Sequence, residues 1–568
     1  MVDFADTDTM AADFQRRGGQ PGFAYGIVLD GELVHAAGFG ELCLGGPAPD
    51  ADTVFRIASM TKSFTASAVL ALRDDGALGL DDPAEAYLPE LRGWPPVTRD
   101  SVPVSLRHLL TMTAGFPTDD PWGDRQQGLP LEEFSAFLAS GVSFAGAPGI
   151  GFEYSNLGYA ILGRVITAVT GTAYQDYIRD RLLRPLGMTR TGFEAAEFGT
   201  GVAHGYRRAP DGWSQVAFEP CGAFAPMGGI FSCVRDLTRW VDGFAAAFPP
   251  GDADDSHPVR PATRREMQLT QVLTGWDKPG FPGEAGPMLL GAYGFGLFVG
   301  EHPDWGRVVS HSGGYPGFGS NMRWHPATRT GVIALGNGTY SGMQSLAARI
   351  LPAVLQSRQE AVQIPPWPQT VAARDTVSRL LRSWDDAEAA RLFSPNVAQD
   401  APFAERRKTI AVIRDRIGDF RDDADRPPEF DTRAQCRWYL AGEHGVTQVQ
   451  IQLTPQREPR VQSLTLAVPP APGSPLRATL DALLAWLNGT DRDWPPAIAV
   501  SDTVDAGLLA RRLRMAAAWA GECRLDAWKA GDGAASTTVA LTGEHAPLTL
   551  SLLVDPLSGT LRQLDILP

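Results

Sequence analysis

The protein is a chain of 568 residues, of which 44% are hydrophobic and 20% charged, as in an ordinary globular protein. Its formal net charge is −15, and its basic residues form no cluster beyond scattered Arg-Arg pairs. We therefore expect no nucleic acid and no anionic membrane among its partners. The sequence has no run of about eighteen apolar residues, so it predicts no transmembrane helix.

The N-terminal sequence carries acidic residues and lacks an apolar core segment, which argues against a signal peptide. The five cysteines are widely spaced and form no C-x-x-C pair, which predicts free thiols in a reducing compartment (Cys43, Cys221, Cys233, Cys436, Cys523). A cytoplasmic location follows as an expectation. No H-E-x-x-H or cysteine-histidine grouping with metal spacing occurs, so we expect no metal and no other cofactor.

Hydrophobic alternation predicts a β-hairpin from Phe23 to Phe39 that turns at Asp30-Gly31. Further strands are predicted far downstream, at residues 293–299, 307–311, 319–324 and 331–335. The sequence between them predicts helices after Ser59 and at residues 106–112, 131–140, 157–170, 174–183 and 234–248, with a last helix at 344–356. An antiparallel sheet built from both ends of this region would bring residue 59, the 150s and the 310s to one cleft.

Ser59 and Lys62 stand three residues apart at the start of an apolar, helix-favouring stretch. Residues at this spacing share a helix face, so a helix beginning at Ser59 would place the lysine amine against the serine oxygen. The plain alternative is a helix cap followed by a solvated amine. Arginine outnumbers lysine 46 to 4 in the chain. Lysine can lose its proton when buried and arginine cannot, so a lysine at this position favours the catalytic interpretation.

Two further motifs fall where such a cleft would need them. Tyr154-Ser155-Asn156 precedes a predicted helix, and alone it would indicate only a capping asparagine beside a core tyrosine. His311-Ser312-Gly313-Gly314 follows a predicted strand, where glycines allow close backbone approach by a ligand. Its plain alternative is a glycine-rich turn.

Ser59-x-x-Lys62, Tyr154-x-Asn156 and His311-Ser312-Gly313, in this order, resemble the serine β-lactamase and penicillin-recognising superfamily. The likeness is to its class C β-lactamase-like branch, with DD-peptidases, D-aminopeptidases and family VIII esterases. It covers about residues 15–358 and implies an α+β fold, the β-lactamase/transpeptidase-like arrangement of an antiparallel sheet with a helical region.

The resemblance implies acyl transfer through a covalent ester on Ser59. Lys62 and Tyr154 would carry the protons, and the sequence leaves open which of them takes the first one. Asn156 would orient the lysine and bind a substrate amide oxygen. The backbone N–H groups of Ser59 and Gly314 would meet the developing oxyanion.

His311, Ser312 and Gly313 would bind the substrate on the side of its carboxylate or leaving group. β-Lactamases commonly carry lysine and threonine at the first two of these positions, which puts efficient β-lactam turnover in doubt and suggests a substrate whose anion is less obligatory. No E-x-x-L-N stretch supports a deacylating glutamate, and no G-x-S-x-G supports an α/β-hydrolase.

These observations predict a serine hydrolase that cleaves a small amide, peptide or ester. Its substrate would be a small molecule or short peptide, and peptidase or amidase activity is slightly favoured over esterase activity. A carboxylesterase of the same fold is one alternative. A non-catalytic, penicillin-recognising ligand sensor is the other. The segment Thr274–Pro287, rich in glycine and proline, could be a loop over the cleft or a passive insertion.

Proline-rich stretches at residues 363–368 and 468–473 suggest linkers. After the first of them the chain contains an internal duplication, in which Gly442-Glu443-His444 recurs as Gly543-Glu544-His545. We predict a hydrolase domain over residues 1–360 and two repeated α+β modules over 369–468 and 474–568. The modules would serve as scaffold, as walls that gate substrate access, or as contacts of a possible homo-oligomer.

Overall fold

The computed structural model describes residues 4–252, 255–277, 289–302, 305–356, 358, 365–489, 494 and 498–567. The chain divides into two compact units, residues 1–362 and 363–568. Within the described ranges, no helix is both long and apolar enough to cross a membrane.

The strands of the first unit are β1 Gly22–Leu29, β2 Glu32–Gly40, β3 Phe55–Arg56, β4 Gly205–Ala209, β5 Gly212–Val216, β6 Phe231–Ser232, β7 Val272–Asp277, β8 Leu289–Tyr293, β9 Phe298–His302, β10 Gly306–Tyr315, β11 Phe318–His325 and β12 Thr330–Gly336. Its helices are α1 Ala5–Arg16, α2 Thr61–Asp74, α3 Leu106–Leu110, α4 Asp120–Gly123, α5 Leu131–Ala139, α6 Asn156–Thr170, α7 Tyr174–Ile178, α8 Ala225–Gly228, α9 Val234–Ala245, α10 Pro261–Met267 and α11 Met343–Gln356.

Eight of these strands form one antiparallel sheet in the order β2-β1-β12-β11-β10-β9-β8-β7. One face of the sheet packs against α1 and α11, where Phe23, Tyr25 and Val332 meet Leu346 and Ile350 in a buried apolar cluster. The other face packs against α9 and the helical region in a second, larger cluster. The sheet is therefore a middle layer, and this explains why every residue of β12 is buried.

The α+β, β-lactamase/transpeptidase-like fold expected from the sequence is confirmed in this unit. The predicted hairpin forms as β1 and β2, and Asp30 and Gly31 both adopt positive φ at its turn. The pairing of β1 with β12 joins the two ends of the unit, as the sequence predicted.

Two predictions about the far edge of the sheet are wrong in part. The strand predicted over residues 293–299 is interrupted at residues 294–297 by the turn between β8 and β9, where the Gly294 N–H donates to the Leu297 carbonyl. Gly296 takes φ +70° there, and a Cβ on it would lie 2.7 Å from the Lys62 carbonyl, so this turn needs glycine to pack on α2. The loop predicted over Thr274–Pro287 begins inside β7, and residues 278–288 lie outside the described residues.

The second unit contains two sheets with helices. The first part has α12 Pro368–Arg382, α13 Asp386–Leu392, α14 Pro395–Asp400, α15 Phe403–Ile417, β13 Arg421–Asp422, β14 Glu429–Thr432, β15 Gln435–Ala441, β16 Val446–Leu453 and β17 Val461–Ala467. The second part has α16 Pro475–Leu487, α17 Ala506–Ala520, β18 Cys523–Ala530, β19 Ser536–Gly543, β20 Leu548–Val554 and β21 Leu561–Leu567.

The duplication is visible in a backbone hydrogen bond that occurs at the equivalent position in both parts of the second unit. The His444 N–H donates to the carbonyl of Ile417, the last residue of α15, and the His545 N–H donates to that of Ala520, the last residue of α17, both at 2.8 Å. The extra small α+β modules at the C-terminus are thus confirmed as a feature of the fold. The domain boundaries predicted for them remain a prediction.

Candidate active site

Ser59 lies in a short 3-10 turn, Ala58–Met60, immediately before α2. The α-helix therefore begins two residues later than a helix starting at Ser59. Ala58 has φ +47°, an uncommon conformation for a residue with a side chain, which turns the chain sharply in front of the serine. The short pairing of β3 with β6 and the hydrogen bond from the Ile57 N–H to the Ile230 carbonyl (2.9 Å) hold this turn.

Lys62 is fully buried, and its Nζ makes three hydrogen bonds. It donates to Ser59 Oγ (2.9 Å), to Asn156 Oδ1 (2.6 Å) and to the Met227 carbonyl (3.0 Å). The alternative of a cap followed by a solvated amine is therefore excluded, and the hydroxyl and the amine meet as the i, i+3 spacing predicted.

The surroundings of Lys62 shift the pKa of its amine in two opposite directions. Burial lowers the pKa of its amine to about 8, because the interior disfavours the charged form. The carboxyl groups of Asp120, Asp124 and Asp119 oppose this shift, in that order of size. At pH 7 about one tenth of this amine is then neutral, far more than for an ordinary lysine.

Asn156 is the first residue of α6, and the cap of this helix is Ser155, whose hydroxyl accepts from the Gly158 N–H. The capping alternative for Asn156 is therefore wrong. Its side chain is fully buried instead, with Oδ1 facing Lys62 and Nδ2 donating to Asp120 Oδ1 (2.9 Å).

Tyr154 brings a phenol to the other side of the serine. The Lys62 amine lies 4.9 Å from the Tyr154 ring centroid, and the Ser59 side chain is close enough to the Tyr154 hydroxyl to lower its pKa, against the larger effect of burial. Burial raises the pKa of Tyr154 well above the ordinary tyrosine value, with Asp120 adding to the effect, so the phenol holds its proton at neutral pH.

The third motif lies inside β10, and the glycine-rich turn considered as its alternative is wrong. Pairing of β10 with β9 ends at Ser310, whereas pairing with β11 continues to Tyr315, so no strand among the described residues pairs with the other edge of residues 311–314. A Cβ on Gly313 would lie 2.2 Å from the Ile57 carbonyl. This glycine therefore lets β10 approach the turn that carries Ser59.

His311 is buried, and both of its ring nitrogens have partners. Nδ1 lies 2.6 Å from the Ser312 carbonyl and Nε2 lies 3.2 Å from the Tyr293 hydroxyl. Because a carbonyl only accepts, Nδ1 carries the proton and Nε2 accepts from the tyrosine. Burial and the nearby Lys62 lower the pKa of His311 to about 3, so the imidazole is neutral at physiological pH.

A cleft of about 620 Å³ opens in front of these groups. It is lined by five of the eight predicted residues: Ser59, Tyr154, His311, Ser312 and Gly314. The other three, Lys62, Asn156 and Gly313, are placed immediately behind its wall by the contacts given above. Among the residues that the structure describes, no group of three or more His, Cys, Asp or Glu side chains is arranged to hold a metal ion.

Sequence reasoning missed several groups around this cleft. Asp120 lines it, and Asp119 accepts from the Asn156 N–H (2.6 Å). Tyr340 also lines the cleft and donates to Asp124 (2.6 Å), whose pKa burial raises to about 6. Asp119-Asp120-Pro121 reads in the sequence only as a polar start to a short helix, a signal too common to mark a site.

Comparison with known proteins agrees with this geometry. The sequence model of the beta-lactamase family matches residues 7–355, more than half of the chain. The chain belongs to the beta-lactamase family. The resemblance expected from the three motifs is therefore confirmed.

The relatives of this chain include one protein named as a peptidase and one named as a penicillin-binding protein. The chain is 27% identical over 323 residues to the D-alanyl-D-alanine-carboxypeptidase/endopeptidase AmpH of Escherichia coli K12, covering 54% of this chain and 77% of that protein. It is 27% identical over 319 residues to penicillin-binding protein 4* of Bacillus subtilis strain 168, covering 53% and 64%.

Two solved structures share the fold. The octameric penicillin-binding protein homologue from Pyrococcus abyssi aligns with a TM-score of 0.53 at 23% identity, covering 82% of this chain and all of that one. A class C beta-lactamase aligns with a TM-score of 0.51 at 20% identity, covering 63% and 96%. The first alignment covers more of this chain than the family match does.

Proposed function

We propose that this protein is a serine hydrolase that cleaves a small amide, peptide or ester through an acyl-enzyme on Ser59. The observation that carries the proposal is the buried contact between Lys62 Nζ and Ser59 Oγ. Of the lysine's three partners, Asn156 Oδ1 and the Met227 carbonyl can only accept. A neutral Lys62 must therefore turn both of its hydrogens to these two, leaving its lone pair to face the serine hydroxyl.

This arrangement supports Lys62 as the group that holds or takes the proton when Ser59 attacks a carbonyl. Tyr154, protonated and next to Ser59, is suited to carry a proton between the serine oxygen and the leaving group. The backbone N–H groups of Ser59 and Gly314 are the donors that we propose for the oxyanion.

For the substrate, we place peptidase or amidase activity slightly ahead of esterase activity. The name of the AmpH relative supports a peptidase. The neutral state of His311 supports a substrate without an obligatory carboxylate, because this position offers no fixed cation. A carboxylesterase therefore remains the second candidate. We further propose that Asn156, His311, Ser312 and Gly313 contribute to substrate binding.

The test is a fluorophosphonate label on purified full-length protein, followed by a substrate screen. We expect Ser59 to be labelled, Ser59→Ala to abolish both labelling and turnover, and D- or L-aminoacyl anilides or short-chain esters to be cleaved better than nitrocefin. Full turnover by Ser59→Ala would show that the proposal is wrong. Labelling without turnover of any substrate would favour the ligand sensor.

We also propose a cytoplasmic homo-oligomer that assembles through the C-terminal modules. The octameric state of the Pyrococcus abyssi homologue supports an oligomer, since that fold alignment covers 82% of this chain. Light scattering on the full chain should give a mass at least twice the 61.0 kDa of one copy. A monomeric mass at micromolar concentration would contradict the proposal.

A further inference from the structure

Two adjacent carboxylates hold Asn156 by its backbone and by its side chain. The carboxylate of Asp119 accepts from the Asn156 N–H (2.6 Å) and the Leu157 N–H (2.9 Å), the first free donors of α6. Asp120 Oδ1 accepts from Asn156 Nδ2 (2.9 Å). One carboxylate thus fixes where Asn156 lies, and the next one contacts its amide.

The contact with Asp120 decides which way the Asn156 amide points. An amide side chain has one accepting end and one donating end, whereas a carboxylate can only accept. Nδ2 must therefore face Asp120, and this leaves Oδ1 for Lys62 Nζ at 2.6 Å. A flipped amide would set an oxygen against the carboxylate and N–H groups against the amine, losing both hydrogen bonds.

We propose that Asp119 and Asp120 are positioning residues, which orient Asn156 so that its amide oxygen directs Lys62 toward Ser59. The inference rests on the proposed function, in which Lys62 serves Ser59 as a proton carrier. Neither aspartate is assigned a contact with the reacting atoms.

Asp120 has two effects that the experiments must separate. Its hydrogen bond orients Asn156, and its negative charge favours the charged form of Lys62. The groups that face the amine are Asp119, Asp120 and Asp124 on one side, with Tyr154, Tyr159 and His311 around it. Asp124 is the matched control. It also favours the charged amine, but it accepts its hydrogen bond from Tyr340 and not from Asn156.

The first experiment is a double-mutant cycle in the full-length protein, read as kcat/KM on the best substrate of the screen. We expect Asp120→Ala and Asn156→Ala each to lower kcat/KM by about 10²-fold, the scale of a misplaced catalytic group. On the high-pH plateau, where Lys62 is neutral and the Asp120 charge no longer decides its protonation, the double variant should be within about threefold of Asn156→Ala, because the positioning effect of Asp120 is exerted through Asn156. A double variant whose kcat/KM is about 10⁴-fold below that of wild type would overturn the inference. An effect of Asp120→Ala confined to the KM of cationic substrates would overturn it as well.

The second experiment is the pH profile of the single variants. For Asp124→Asn we expect the rising limb of kcat/KM to move to lower pH while the high-pH plateau keeps its wild-type height. For Asp120→Ala we expect the plateau itself to fall, since orientation is lost at every pH. A wild-type plateau in Asp120→Ala would overturn the inference.

Asp120→Asn provides a variant that keeps a possible acceptor, in case Asp120→Ala folds poorly. The introduced amide can place either of its ends toward Asn156, so we expect an intermediate loss, between those of wild type and Asp120→Ala. A loss as large as that of Asp120→Ala in a folded protein would overturn the role of the hydrogen bond. Ser59→Ala distinguishes failure of the proposed function from failure of this inference. If Ser59→Ala stays active, the proposed function fails. If it is inactive while the effects of Asp120→Ala and Asn156→Ala are additive, only this inference fails.

Discussion

Lys62 is one of only four lysines in the chain, and it is buried among hydrogen-bond acceptors. An arginine at this position could fill similar space and make similar contacts, but it could not lose its proton. The chemical property that the site needs is therefore the capacity to become neutral, which burial brings within reach by lowering the pKa to about 8.

Replacing Lys62 with Arg tests this property. We expect kcat/KM to fall by at least ~10²-fold, the scale of general-base catalysis, because the guanidinium stays charged. The measurement is ester or anilide turnover, with melting temperature as the check on folding. Lys408→Arg, on the exposed face of α15, is the matched control and should leave turnover unchanged.

The pH dependence should report the same amine. Lys62 acts when neutral, and its neutral fraction rises with pH through about 8. We expect kcat/KM to rise about tenfold per pH unit below pH 7.5 and to level off above pH 8.5. His311, with a pKa of about 3, should add no inflection between pH 5 and 7. A plateau already reached at pH 6.5 would contradict the assignment.

The sequence predicted the eight site residues as a set, because three short motifs in a fixed order are informative together. It did not predict that Asp119 and Asp120 hold Asn156, since an acidic pair before proline is common at helix starts. It also suggested that the glycines of the third motif admit a ligand. In the structure Gly313 makes room for the protein's own Ile57 carbonyl.

At the scale of elements, the site depends on how closely α6 packs on α8. The short helix α8 carries the Met227 carbonyl that accepts from Lys62, and α6 carries Asn156. Gly163 lies at the contact between them, where an added Cβ would stand 1.9 Å from Pro226 Cγ. The glycine therefore sets the distance between two of the lysine's three partners.

Gly163→Ala should push α8 away from α6. We expect a loss of about 1–3 kcal/mol in the free energy of unfolding from overpacking, together with reduced turnover. Gly158→Ala is the control in the same helix, because its Cβ would meet its nearest neighbour at an ordinary 3.7 Å. That variant should be neutral or slightly stabilising by the reduced entropy of the unfolded chain. Equal melting temperatures for the two variants would contradict this account.

The sequence predicted where most helices and strands of the first unit lie, but it predicted less well where each of them ends. The hairpin of β1 and β2 carried a strong turn signal at Asp30-Gly31, and the structure confirms it. The strand predicted over 293–299 failed because Tyr293, Phe295 and Leu297 alternate like a strand. Tyr293 ends β8, whereas Phe295 and Leu297 are buried in the turn that follows it, whose shape is set by packing against α2 and not by local alternation.

At the scale of the whole molecule, the first unit contains its own apolar clusters, with buried side chains from Ala11 to Leu355. A protein ending at residue 362 should therefore fold and keep turnover of small substrates. The measurement is solubility, melting temperature and kcat/KM beside the full chain. Insoluble protein after truncation, with a single melting transition in the full chain, would show that the two units depend on each other.

The pairing of β1 with β12 also has a consequence during synthesis. Phe23 pairs with Gly336, and at ~5–20 residues per second the ribosome needs about 15–60 s to make the intervening ~310 residues. During this delay the apolar strand GFAYGIVL has no partner on its β12 side, and such a segment is prone to aggregation. The yield of folded protein should therefore depend on chaperones and on growth temperature, even where the finished fold is stable.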